Sequence, residues 1–171
     1  MKMIKALLFT LVATLAVRAP GEYIFWQVDW TLTNSSADYA SIAVLDADGN
    51  AVTVDSQPVY LLTADETPPS TQVYRDRDYP SEPTEATSSI SSPYNSNGYK
   101  FAIEIYDKTG TKLASSDPVA FSDLPVWSGS MNPPGVSTVW SPTTYTAVPE
   151  PATGMLFIAG ALMLFRRKRN A

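Results

Sequence analysis

The chain has 171 residues, no cysteine, no histidine, 14 prolines and a formal charge of −5, enough length for one domain with a real core. Without cysteine there are no disulfides, thiol nucleophiles or thiolate metal sites; without histidine there is no imidazole base, Ser-His-Asp arrangement or imidazole metal ligand. The charge divides into +7 on two basic ends (Lys2, Lys5, Arg18; Arg166, Arg167, Lys168, Arg169) and −12 on everything between, where all 17 acids face five bases.

The N-terminal end reads MKMIK, then ALLFTLVATLAV from Ala6 to Val17, then Arg18-Ala19-Pro20. A basic start, a short apolar run and small residues make the three parts of a secretory signal peptide, assigned to residues 1–19; the run is short for a membrane span. Cleavage after Ala19 puts Pro20 behind the cut, and cleavage after Ala16 avoids this. The competing reading is an uncleaved N-terminal anchor.

Residues 20–142 form the acidic body, expected to be all-β: a two-sheet antiparallel β-sandwich, immunoglobulin-like in the broad sense. Tyr23 to Thr33 alternates, with Trp26, Val28, Trp30 and Leu32 on one face and Gln27, Asp29 and Thr31 on the other, which predicts a strand. Tyr39 to Val54 predicts a hairpin around Asp46-Ala47-Asp48-Gly49-Asn50, since glycine tolerates positive φ in such turns. Tyr99 to Phe121 predicts a second around Asp107-Lys108-Thr109-Gly110, with Phe101, Ile103 and Ile105 on one face and Ala102, Glu104 and Tyr106 opposite. The two hairpins overlay with a shift of about sixty residues, which fits either duplication or convergence. Val59–Thr63, Thr71–Tyr74 and Val136–Trp140 are shorter candidates, for roughly seven strands altogether. Pro80 to Gly98 is rich in Ser, Thr, Pro and Asn and reads as a long exposed loop. Residues 143–151 read as an extended linker ending in Pro149-Glu150-Pro151.

Few groups in the body suggest chemistry. Asp46, Asp48 and Asn50 place oxygens at alternate positions as a calcium loop does, but Gln57 stands where an EF-hand needs a bidentate Glu, so an ordinary turn competes with a weak calcium site. The Tyr74–Tyr79 run YRDRDY alternates charges of opposite sign, a common device on exposed strands and loops. Asn34-Ser35-Ser36 has the N-glycosylation pattern and reads as a loop. There is no G-x-S-x-G elbow, Walker A loop or Ser-x-x-Lys pair. Carboxylate pairs suited to glycoside hydrolysis arise by chance among 17 acids, leaving a secreted hydrolase as a remote alternative. A body at −12 repels nucleic acid. Trp127 and Trp140, with Tyr94 and Tyr145, are candidates for stacking on sugar rings; Trp26 and Trp30 are expected in the core.

From Ala152 to Phe165 the chain is apolar or small, and Arg166-Arg167-Lys168-Arg169 comes next. Fourteen helical residues cover about 21 Å against a hydrocarbon core of about 30 Å, a shortfall that snorkelling and thinning reduce. The cations stay cytoplasmic by the positive-inside rule. Val148 to Arg169 (Pro149-Glu150-Pro151, Ala152-Thr153, an apolar helix with Gly160, an arginine cluster) closely resembles the PEP-CTERM sorting signal of Gram-negative bacteria. The resemblance covers about an eighth of the chain. It implies recognition by an exosortase in the inner membrane, cutting near Pro149-Glu150-Pro151, and delivery to the cell surface, biofilm or extracellular matrix of an exopolysaccharide-producing host. A plain C-terminal anchor is the competing reading.

The expectation is therefore an exported, non-catalytic structural protein without a cofactor, whose partners are the secretion machinery, the exosortase, the inner membrane in transit, and exopolysaccharide or divalent cations outside. The alternative is a carbohydrate-binding module.

Overall fold

Ile24, Trp26 and Val28 alternate with Tyr23, Phe25 and Gln27, so one face of an extended chain can be buried while the other stays partly open; Glu22–Val28 accordingly forms β1. The computed structural model describes residues 22–64, 70–129 and 138–148. The expected strand stops at Val28. Asp29 accepts hydrogen bonds from the Thr31 backbone N–H (2.9 Å) and hydroxyl (2.6 Å), turning the chain into a 3-10 helix over Trp30–Leu32. Trp30 still reaches the core, whereas Leu32 is 44% exposed.

Among the described residues eleven strands come after β1. They are β2 (Ala37–Asp46), β3 (Thr53–Val54), β4 (Gln57–Pro58), β5 (Leu62–Thr63), β6 (Val73–Tyr74) and β7 (Thr84–Ile90). Then come β8 (Tyr99–Asp107), β9 (Lys112–Ser115), β10 (Val119–Ala120), β11 (Val126–Ser128) and β12 (Thr146–Ala147). A first sheet runs β11-β1-β7-β5 and a second β12-β9-β8-β2-β6, with β10 also pairing β8. All strand pairs are antiparallel; one isolated parallel bridge joins Trp26 and Trp140. Ile24, Trp26, Val28 and Ile90 from the first sheet meet Ile42, Val44, Phe101, Ile103 and Ile105 from the second in one buried cluster. The described residues form an all-β body, as its alternation predicts.

The expected loop over 80–98 is overturned at its centre. Thr84–Ile90 is an internal strand of the first sheet, paired with β1 from Glu22↔Ile90 to Val28↔Thr84 and with β5 at Leu62↔Ser89 and Thr63↔Ser88. Its polar composition is accommodated because inward hydroxyls meet indole N–H groups. Trp26 donates through Nε1 to Ser88 Oγ (3.0 Å), and Trp30 to Thr84 Oγ1 (2.7 Å). Two large aromatics are thereby buried with their only polar atoms satisfied.

Both expected hairpins form, with equivalent turns. Asp46 Oδ1 accepts the N–H groups of Asp48 and Asn50 (2.9 Å each); Asp107 Oδ1 accepts those of Thr109 (2.8 Å) and Thr111 (2.9 Å). Gly49 and Gly110 hold φ of 90° and 83°, where a side chain would strain the backbone. β2 and β8 pair with Ile42 opposite Ile103, positions 61 apart, as are the two capping aspartates. The bridge Leu45↔Ala51 then matches Tyr106↔Lys112, and Leu61 N–H to Ile42 O matches Ser116 N–H to Ile103 O. The hairpins are thus equivalent in hydrogen bonding about a local two-fold. The copies differ where the first loops out through β3 and β4, turning at Asp55-Ser56 with φ of 51° and 65°. In the second, Ser116 Oγ accepts the Ile103 N–H (2.9 Å), filling a ladder position ahead of Pro118.

Among the described residues two crossings stitch the sheets together. Tyr60 bridges Ala43 in the second sheet, and two residues later Leu62–Thr63 pairs with β7 in the first. Trp140 bridges Trp26 in the first sheet, and Thr146–Ala147 pairs with Ser115 and Ala114 in the second. The stretch expected as linker is therefore held down at residues 145–148: Tyr145 packs against the core and the Val148 N–H donates to Leu113 O (2.8 Å). The expected signal peptide and the expected sorting helix lie outside the described residues. Among the described residues no helix is long and apolar enough to cross a membrane.

Candidate functional surfaces

The calcium candidates occupy the first hairpin turn. Asp46 Oδ1 is committed to two backbone N–H groups, and the Asn50 amide donates to Oδ2 (3.2 Å). These bonds, chiefly those from Asn50, hold the Asp46 carboxyl below its ordinary value, and bonds from Thr109 and Thr111 do the same for Asp107. Two carboxylates with the same role in two turns, one lacking any calcium-like sequence, identify Asp46 as a turn cap. Among the described residues no three acidic side chains converge on a metal position.

The sugar-stacking candidates separate. Trp140 is 9% exposed and belongs to the core, so its face is closed to a ligand. Its main chain caps β1, with the Gln27 N–H donating to Trp140 O (2.9 Å) and the Trp140 N–H to Phe25 O (2.8 Å). Tyr94 is half-buried, edge-on to Tyr99. Tyr145 is half-buried with its hydroxyl unpartnered among the described residues, and burial, then Asp29, raises its pKa. Trp127 alone stays on an outer face, directly opposite Tyr23. Trp26 and Trp30 are in the core as expected. The sorting-signal residues Pro149, Glu150, Pro151, Arg166, Arg167, Lys168 and Arg169 lie outside the described residues.

Within YRDRDY, Arg75 is no partner of its neighbouring aspartates. It donates to the carbonyls of Pro80 (2.6 Å), Ser35 (3.2 Å) and Ala37 (3.4 Å), and its guanidinium lies 5.9 Å from the Trp30 ring centre. Asp76 instead caps the next turn through the N–H groups of Asp78 and Tyr79.

Sequence reasoning missed a group on the outer face of the second sheet. The β2–β8 register sets Tyr39 opposite Tyr106 and Ser41 opposite Glu104, and β6 sets Tyr74 beside Tyr39. Tyr39 stacks on Tyr106 (5.0 Å, 10°), and Tyr60 meets Tyr106 edge-on (6.4 Å). Glu104, 6% exposed, accepts from Lys112 Nζ (2.7 Å), from the Tyr106 hydroxyl and from the Tyr60 hydroxyl (3.4 Å). Burial, then the bond to Glu104, raises the Tyr106 pKa; burial raises those of Tyr39 and Tyr60. None of these hydroxyls ionises near neutrality and both Glu104 oxygens are engaged, so the group braces the sheet. Its sequence signal was the second alternation in Tyr99–Asp107, where Ala102, Glu104 and Tyr106 share a face.

The outer face of the first sheet is simpler. Tyr23 and Phe25 on β1 adjoin Trp127 on β11, with Val139 and Leu62 exposed on either side. Phe25, Glu85, Thr87 and Val139 line a shallow cleft of about 210 Å³. The Gln27 amide donates to Glu85 Oε1 (3.4 Å) at its rim. Comparison with known protein families, with curated proteins and with solved structures gives no match.

Proposed function

We propose that this chain is an exported, exosortase-processed structural protein of the cell surface or extracellular matrix, whose body is a non-catalytic, immunoglobulin-like sandwich in the broad sense. The observation that carries the reading is the composite from Val148 to Arg169: Pro149-Glu150-Pro151, an apolar run and a basic cluster, in that order. The architecture is compatible with cutting there. Every described strand lies between Glu22 and Ala147, and the last ladder bond is made by Val148, one residue before the motif. Proline at 149 has no N–H to continue the ladder, so loss of the chain from Pro149 onward takes away no described strand. The two sheets, one shared core and two crossings between sheets support the sandwich reading.

Export and processing are tested together by fractionating host cells that carry an epitope in the exposed turn at Lys108-Thr109. Wild-type protein is expected at the surface, digestible by protease added to whole cells. Replacing Arg166, Arg167, Lys168 and Arg169 by Ser should leave unprocessed protein in the membrane fraction. Unchanged surface delivery of that variant would overturn the sorting reading.

A further inference from the structure

We infer that the outer face of the first sheet is a binding site for an uncharged polysaccharide, laid across Trp127, Tyr23 and Phe25. Alternation along β1 sends Ile24, Trp26 and Val28 to the core, so Tyr23, Phe25 and Gln27 share the opposite face. The register Tyr23↔Trp127 puts the indole on that face, one strand spacing away. None of the three aromatics contributes to the core cluster, and all remain partly open to solvent. Gly129 makes room for the indole: a Cβ there would fall 2.7 Å from Trp127 Cη2, so any side chain at 129 would displace the ring.

Adjoining aromatics on an outer face mark a contact site, and the groups around them select the ligand. At the Phe25 end, Gln27 and Glu85 supply an amide and a carboxylate side by side, with Thr87 beneath. Glu85 takes no part in the ion pair found among the described residues, Glu104–Lys112; its Oε1 accepts from the Gln27 amide (3.4 Å), and Oε2 has no hydrogen-bond partner among the described residues and can accept from a hydroxyl. A pyranose ring presents C–H groups to an aromatic face and hydroxyls at its rim, so it satisfies both parts of the surface together. A body at −12 disfavours a polyuronate and a second copy of itself, so among pyranose polymers the neutral ones fit this face. This deepens the structural reading by naming what the body holds. The binding assay reads the face alone and the export assay reads the address alone, so either can fail without the other.

The test uses the full chain in a non-ionic detergent without a sugar headgroup. It is run on native gels polymerised with dextran, hydroxyethylcellulose, galactomannan or xylan, and with alginate as the polyanion. Trp127 is the one partly open tryptophan of four, so its protection from acrylamide quenching reports occupancy of this face. Retardation by at least one neutral polymer is expected, with Trp127 protected. Phe25→Ala, Tyr23→Ala and Glu85→Gln, each checked by circular dichroism, should each weaken retardation about tenfold. Tyr74→Ala and Tyr79→Ala, which alter exposed tyrosines elsewhere, should leave it unchanged. Three results would overturn the proposal: no retardation by any neutral polymer, tighter binding of alginate, or retardation that survives the face variants. Self-association lost in those variants, without glycan binding, would assign the face to a second copy instead.

Discussion

Ser88 is the most informative position for the fold, because its hydroxyl accepts the indole N–H of Trp26 in the centre of the core. Ser88 and Trp26 are each 1% exposed, so no solvent replaces the bond when Ser88→Ala removes the acceptor. A buried donor left without a partner costs about 1–3 kcal/mol, out of about 5–15 kcal/mol for a typical domain. At about 4 °C per kcal/mol for a domain near this size, melting should fall by about 4–12 °C. Ser89→Ala, one residue along and facing outward, should stay within about 0.5 kcal/mol of wild type. In a Trp26→Phe background there is no donor to orphan, so the Ser88→Ala cost should shrink by about 1 kcal/mol or more. Urea unfolding followed by far-ultraviolet circular dichroism measures the four variants against wild type. Equal and negligible effects at Ser88 and Ser89, with no coupling to Trp26, would refute the placement of Thr84–Ile90 inside the sheet.

Three further outcomes rest on the geometry of the turns, the tyrosine group and the C-terminal strand. Asp46 and Asp107 are both held below their ordinary 3.8, so unfolding in acid takes up protons at these sites. Their contribution is complete above about pH 5 and is lost as pH falls through the lowered folded values. Asp46→Ala with Asp107→Ala should flatten that acid limb of the stability profile; an unaltered limb would exclude both turns as its source. Glu104→Ala should cost about 1–3 kcal/mol by taking the charged acceptor from the buried Tyr106 hydroxyl, which keeps only its bond to the Tyr60 hydroxyl (2.7 Å), and Lys112→Ala, which leaves the buried Glu104 carboxylate without its cation, should cost about 1 kcal/mol or more; chemical denaturation measures both. Tyr145→Phe removes a buried hydroxyl unpartnered among the described residues, so it should be neutral or stabilising by up to about 1 kcal/mol, whereas truncation before Tyr145 should destabilise by about 2 kcal/mol or more through lost apolar burial; thermal melts compare the two.

Local sequence was enough wherever the deciding contacts are local. The Asp107-Lys108-Thr109-Gly110 turn and its strands are legible because the cap, the glycine and the alternation lie within a dozen residues. Strand β7 was hidden because its inward Thr84 and Ser88 look like loop residues until Trp30 and Trp26, more than fifty positions away, are set against them. Asp29 did carry a local signal, an acid two residues before a threonine, but the alternation running through Trp30 and Leu32 outweighed it. The tyrosine group around Glu104 depends on register between β2, β6 and β8, which no single stretch specifies. Trp140 and Trp127 look alike in sequence; only the crossing that bridges Trp140 to Trp26 buries one and leaves the other outside.

Export and sorting are tested most directly by the intact mass of the protein recovered from the outside of its own host. A species that has lost the N-terminal leader near Ala16–Ala19 and everything beyond the Pro149-Glu150-Pro151 region is expected, with the body between them whole. Surface protein that retains both Met1 and the Arg166–Arg169 cluster would contradict it.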